Sequence, residues 1–263
     1  VSVNIRKWRG RLGNNITQIV NAIYFAEYFK IEKIIFPRHK MFNTCQIELK
    51  KYINEKQNDK LYRHDFFSRK KICKYYNIDE SIFDNVNTKV GDILKKIFKI
   101  KYNEVIDLND DDLVIHIRSG DVYNKKPHSG WIQPPLIFYE KIIDSKPWKR
   151  IFLICEDNKS PIIKPLLNKY DYIHFKLQPL GKDINYILQC KNICFGMGSF
   201  IPTLLLMNDH LNTIYYPSYC YRYVLDLVSY KVKKEYDLPN YIKKGEWKNT
   251  DKQILFMLNY TFK

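Results

Sequence analysis

The stretch Leu113-Val-Ile-His-Ile-Arg118-Ser-Gly-Asp121 decides the reading of this chain. Leu113, Val114, Ile115 and Ile117 form a short, largely β-branched run of the kind that fills a buried strand. The run stops at Arg118, and a small residue, Gly120 and Asp121 follow. In open α/β sheets, ligands bind beyond the carboxyl ends of the strands. An Arg placed there is a two-pronged partner for a phosphate or a carboxylate. The same residues also suit a plain turn closed by an Arg118–Asp121 pair, and the local sequence leaves both readings open.

Working outward, Arg150–Cys155 reads as the next strand and ends in Glu156-Asp157-Asn158. Ile173–Lys176, Ile193–Phe195 and Thr213–Tyr216 read as three more. Helices are expected between them, at Leu136–Ile143 behind the stiff Pro134-Pro135 pair, at Ile184–Cys190 capped by Asp183, and from Ile201 to Asn208. This repeated β-α-β order predicts a parallel sheet of Rossmann type. Upstream, Val1–Ile5 reads as a strand, Arg6–Asn15 as a Gly-containing turn, and Ile16, Ile19, Val20, Ile23, Tyr24 and Phe25 as a helical stripe. Ile31–Pro37 closes a first β-α-β unit. Gly10 and Gly13 let that turn approach a ligand, and Asn14 or Asn15 can cap the helix. A helix start behind such a loop suits an anion or a sugar hydroxyl, although glycines in such turns often serve packing alone. The fingerprint G-x-G-x-x-G and a Walker lysine are both missing.

From Arg38 to Asp107 the pattern is Lys-rich and irregular, with helices expected near 66–76 and 90–100. Insertions that shape an acceptor site are expected here. The Tyr- and Lys-rich tail after Ser218 reads as helical, returning over the first half. The organisation is therefore α/β with two Rossmann-like halves: residues 1–107, residues 108–222 that hold a nucleotide, and a helical tail, 223–263.

Composition narrows the function classes. A hydrophobic content of 45% and an aromatic content of 15% give a chain that buries a core. No apolar run approaches the ~20 residues that span a bilayer, so no transmembrane segment is expected. The net charge of +16 suits an anionic partner, but Lys, Asn, Ile and Tyr are all abundant, as in a chain drawn from an AT-rich genome. No nucleic-acid-binding motif accompanies the charge, so no specific nucleic-acid partner is expected. The six cysteines form no C-x-x-C pair, which argues against structural zinc and for reduced thiols. The location expected is cytoplasmic, or at a membrane through a segment outside this sequence. Asp110 and Asp112 offer a D-x-D, yet they precede the central strand, on the edge opposite the ligand edge. They read as a solvated turn, and no metal site is expected.

Three strand-end loops carry the unusual chemistry: Arg9–Asn15, Arg118–Asp121 and Gly196–Phe200. Arg118 with the backbone donors around Ser199 makes a metal-free pyrophosphate site, and Glu156 and Asp157 can accept hydrogen bonds from a base edge or a ribose. Gly10-Arg11-Leu12-Gly13-Asn14 resembles the G-R-[FL]-G-N opening of the protein O-fucosyltransferases and of the α-1,2-fucosyltransferases of glycosyltransferase family 11. His116-Ile-Arg118-Ser-Gly120-Asp121 resembles their H-x-R-x-G-D segment, and Asp183–Phe200 is similar to their helix, short strand and Ser-Phe loop.

The resemblance implies a GT-B architecture, a GDP-fucose donor, a glycan or glycoprotein acceptor, and inverting transfer with neither cofactor nor metal. Arg118 is then the catalytic cation. Gly10, Arg11, Gly13, Asn14, His116, Glu156, Asp157, Ser199 and Phe200 fall on the donor side. His116 reads equally as a core histidine. Asp121 or His128 is the general base, with Asp121 preferred, and Asp121 also reads as the residue that orients Arg118. Ser119 stands where family 11 commonly has a second Arg, and Gly198 where it tends to have a serine. Both departures bear on the donor sugar, so a different nucleotide sugar is the nearest alternative. A non-catalytic binder of nucleic acid or anionic glycan is the second.

Overall fold

A computed structural model describes residues 1–49, 61–83, 89–100, 104–220 and 222–262. The Lys50-Lys51 pair and parts of the irregular segment (50–60, 84–88 and 101–103) lie outside the described residues. The chain divides into two compact units, Val1–Lys101 and Tyr102–Lys263. Among the described residues no helix is long and apolar enough to cross a membrane.

The first unit opens with β1 (Ser2–Ile5), α1 (Leu12–Tyr28) and β2 (Lys33–Ile35). It continues with β3 (Gln46–Glu48), β4 (Leu61–His64), α2 (Arg69–Tyr76) and α3 (Val90–Ile97). The sheet order is β3-β2-β1-β4, with β1 parallel to β2 and to β4 and only β3 antiparallel. Fourteen of the 17 residues of α1 are buried, so this helix is core on nearly every face. Its polar members Gln18 and Asn21 are wholly buried because they bond the loops beside them. α2 is capped at its start by the Ser68 side chain, which accepts from Lys71 N–H, and ends at Asn77 in the left-handed region.

The second unit alternates β5 (Asp112–Ile117), α4 (Leu136–Ile143), β6 (Arg150–Cys155), α5 (Ile163–Lys169), β7 (Ile173–Phe175) and α6 (Leu180–Gln189). There follow β8 (Asn192–Phe195), α7 (Phe200–Leu205), β9 (Thr213–Pro217), α8 (Arg222–Leu225), β10 (Val232–Tyr236) and α9 (Asp251–Asn259). All six strands are parallel, in the order β10-β9-β8-β5-β6-β7. Counted from β5 as the first, this is 6-5-4-1-2-3, the doubly wound order of nucleotide-binding sheets. The order reverses between β5 and β8, so their carboxyl ends flank a crevice. β5 is covered on both faces, which explains its nearly unbroken apolar run.

Three expectations need correction. The tail builds into the second unit: Trp247 is buried with its indole N–H on Val122 C=O at 2.9 Å, and Met257 and Tyr260 join the core around Phe138 and Ile151. Its large apolar side chains complete that core, so the tail is part of the second unit and not a separate helical piece. The tail also contains β10, whose Val-Lys-Lys-Glu-Tyr sequence lacks an apolar alternation because it is an exposed edge strand blunted by lysines. Finally, Asp112 is not in a solvated turn. Its side chain is 1% exposed. It accepts from Arg150 Nε at 2.9 Å, from Arg150 Nη2 at 2.6 Å and from Asn109 N–H at 2.6 Å. Burial alone would raise the Asp112 carboxyl, but the Arg150 guanidinium and the Asn109 amide hold it below the usual range. The fork ties β5 to β6 at the edge opposite the crevice. Arg150→Ala strands this carboxylate and is expected to cost about 3 kcal/mol, measured as a lower urea midpoint with unchanged slope.

Candidate functional site

Arg118 is the first residue past β5, and the segments around it converge at the β5/β8 crevice. Its Nη2 donates to Asp121 Oδ1 at 3.0 Å. Its guanidinium carbon lies 4.7 Å from the centre of the Trp131 ring, a cation–π contact. On the third side it meets the β8–α7 loop, where a Cβ on Gly198 would come within 3.0 Å of Nη1. Gly198 has φ +139°, so both its conformation and its contact with Arg118 require glycine. The loop is seated in turn, since a Cβ on Gly196 would strike Pro134 Cδ at 2.7 Å. The cysteine thiol of Cys220 donates to Gly196 C=O at 3.3 Å. Residues 118–121, 131–134 and 196–200 thus form one packed rim around a guanidinium that is 19% exposed.

The turn after Arg118 is fixed from β6. Asp157 Oδ1 accepts from the Ser119 hydroxyl, from Gly120 N–H at 3.2 Å and from Lys159 N–H at 3.1 Å. Burial would raise this carboxyl, and those donors hold it below the usual range. Ser119 is buried and also accepts from Ser160 N–H at 3.1 Å. A serine here is therefore a clamp in a space too enclosed for a long cation. Asp157, expected as a donor contact, serves this clamp. Glu156 is exposed and lies against the turn, where a Cβ on Gly120 would fall 2.6 Å from its Oε2.

His116, Arg118, Gly198 and Phe200 line a cleft of about 10 Å³, room for roughly one water. The His116 ring lies 5.6 Å from the Phe200 ring at a tilt of 43°. Desolvation, aided by the Arg118 charge, lowers its imidazole to about 3, so it stays neutral. Gly198, Ser199 and Phe200 are half-buried and reachable from solvent. Ser199 caps nothing with its side chain. His128, the other candidate base, is exposed, and its Nδ1 accepts from Gly130 N–H at 3.1 Å while its ring leans on Trp131 at 5.1 Å.

The first-unit candidates occupy a different environment. α1 begins at Leu12 with Arg11 at its cap position, so neither Asn14 nor Asn15 caps it. Asn15 donates instead to Arg9 C=O at 3.1 Å, and Asn14 lies over Gly10, which has φ +64° and no room for a Cβ. Gly13 is buried and its carbonyl accepts from Thr17 at 3.0 Å. Gln18 accepts from Arg9 N–H at 2.8 Å and donates to Lys7 C=O at 2.9 Å, and Arg9 Nε pairs with Asp65 at 3.0 Å. Gln18, Asn21 and Asp65 carry the loop architecture, and nothing in the apolar stripe signals them.

Asp183, expected as the cap of the helix after β7, takes a different position. α6 opens at Leu180 behind Pro179, which places Asp183 inside the first turn and buried, not at the cap. Desolvation raises its carboxyl to about 6, opposed by a hydrogen bond from Gln178 Nε2 at 2.8 Å. Cys155 lies close enough for the Asp183 charge to help burial raise its thiol to about 12, which leaves that thiol inert.

Fold and site together describe a doubly wound sheet with a cation and a glycine-built loop at its switch point. The chain matches no family model, no curated protein and no solved structure.

Two outcomes follow. The raised Asp183 carboxyl keeps a proton that the unfolded chain releases between pH ~4 and ~6. Its contribution therefore weakens stability as pH rises through that window. Asp183→Asn should remove the effect and gain on the order of 3 kcal/mol over wild type at pH 7 but little at pH 4, by urea unfolding at both values. Gly198→Ala should strain the loop and push on the guanidinium, costing about 1–3 kcal/mol, measured as a lower urea midpoint with unchanged slope.

Proposed function

We propose that the chain is an inverting glycosyltransferase of GT-B type that transfers fucose from GDP-fucose to a hydroxyl of a glycan or glycoprotein. The observation that carries this reading is Arg118, held by Asp121, Trp131 and Gly198 at the switch point of the sheet. A diphosphate placed against this rim meets a preorientated guanidinium and the backbone donors of the Gly196–Phe200 loop. The acceptor oxygen attacks the anomeric carbon from the face opposite GDP. The bond from that carbon to the β-phosphate oxygen breaks, and its electron pair leaves with GDP. Negative charge grows on the departing oxygen, which is where Arg118 acts, in the role a divalent cation fills in other transferases.

The hydroxyl proton goes to a base. Asp121 is the carboxylate in the same loop, and its contact with Arg118 supports an orienting role first. His116, neutral near pH 7, is suited to a hydrogen bond or stacking contact with the donor and not to charge neutralisation. Ser199 and Phe200 stand beside the pyrophosphate, with Glu156 at the nucleoside end and Asp157 holding the turn.

Calorimetric titration with GDP, GDP-fucose, GDP-mannose and UDP-sugars tests the reading. GDP ligands should bind, and Arg118→Ala should lower the transfer rate about 10²–10³-fold and weaken GDP binding. Selective UDP binding would replace the sugar donor, and binding of none of these ligands would overturn the enzyme reading.

A further inference from the structure

A second cavity, of about 660 Å³, lies within the first unit, lined by Arg38, His39, Lys40, Phe42, Asn43 and Thr44 among others. Its volume is in the range of small-ligand sites, about 300–1,000 Å³. The loop that forms it follows β2 and is held from several directions. Phe36 N–H donates to Cys45 C=O at 2.9 Å, Asn43 N–H to Ile97 C=O at 2.9 Å, and Lys99 N–H to Met41 C=O at 2.8 Å. Asn43 Nδ2 donates to Lys96 C=O at 2.9 Å. The Trp8 indole supports the loop from behind, donating to Arg38 C=O at 3.3 Å and packing 5.7 Å from both His39 and Phe42. The backbone of this cavity is therefore preorganised.

Its chemistry is one-sided. Arg38 and Lys40 are permanent cations, and the described lining residues include no carboxylate. Loops 6–11 and 36–45 contain no acid and also hold Arg6, Lys7 and Arg11, while Arg9 is paired with Asp65. His39 accepts Met41 N–H on Nδ1 at 3.2 Å, which places its ring proton on Nε2 as a donor. Burial and the Lys40 charge keep that ring neutral. The exposed Asn43 amide and the His39 Nε2–H are groups that pair with alcohols, while the Thr44 hydroxyl is taken up by Gln46 and the buried Phe42 ring forms the floor beneath the loop. We infer that this cavity binds an anionic sugar unit, one carrying a carboxylate, sulfate or phosphate, through Arg38 and Lys40. In the transferase reading, on which this assignment of role rests, that sugar belongs to the acceptor.

The test is titration of the full chain with a sulfated disaccharide, a trigalacturonide, mannose 6-phosphate and neutral maltotriose, each at two salt concentrations. At least one charged sugar should bind at least tenfold more tightly than maltotriose and weaken with salt. Arg38→Ala/Lys40→Ala should lose at least tenfold of that affinity, and Arg38→Glu/Lys40→Glu more. Both side chains are exposed, so the core is untouched. Arg118→Ala should leave sugar affinity unchanged, and the double variant should leave GDP affinity unchanged. Failure of the donor site thus shows in the GDP titration and failure of this site in the sugar titration. Equal affinity for charged and neutral sugars, an unaffected double variant, or tighter binding of a thymidine oligonucleotide than of any sugar would overturn the inference.

Discussion

A guanidinium at the mouth of an apolar sheet is costly unless its charge is answered on every side. Arg118 meets a carboxylate at 3.0 Å, an indole face at 4.7 Å and the backbone of a left-handed glycine. Each of those partners depends on something further out. The Asp121 turn is set by Ser119 on Asp157, and the Gly198 loop by Gly196 against Pro134. Trp131 lies one residue before Ile132, which is wholly buried. The rim is therefore a cooperative unit, and the cation at its centre is already in place before any ligand arrives. Preorganisation of this kind is what stabilises developing charge in a leaving group.

The two units treat their carboxyl-edge loops in opposite ways. In the second, side chains gather around one cation and leave Gly198, Ser199 and Phe200 reachable. In the first, Gln18, Asn15 and Asp65 consume the polar groups of the β1–α1 loop, and Asn14 closes over Gly10. The open chemistry of that unit lies one strand over, in the basic loop after β2. A glycine-containing turn between strand and helix is thus a shape shared by a ligand loop and by a loop locked on its own side chains.

Much of the second unit is legible in sequence because its strands are central. β5, β6 and β8 are largely buried and show as nearly unbroken apolar runs, and α4 begins at Leu136 directly behind its prolines. β10 is illegible for the converse reason: an edge strand with exposed lysines carries no apolar period. The position of Asp183 is lost because a helix opened by Pro179 and Leu180 lacks the polar cap that marks a start. Arg118 and Asp121 are readable as a pair from their spacing. The third and fourth parts of the rim, Trp131 and Gly198, are 13 and 80 residues away, and only the sheet order brings them together.

The central claim is that the β5/β8 crevice is the diphosphate site, and hydrogen exchange with and without saturating GDP tests it most directly. The account predicts slowed exchange confined to the Arg118–Asp121 and Gly196–Phe200 segments, and no slowing there in Arg118→Ala. Protection that appears elsewhere while these two segments stay unchanged would contradict it.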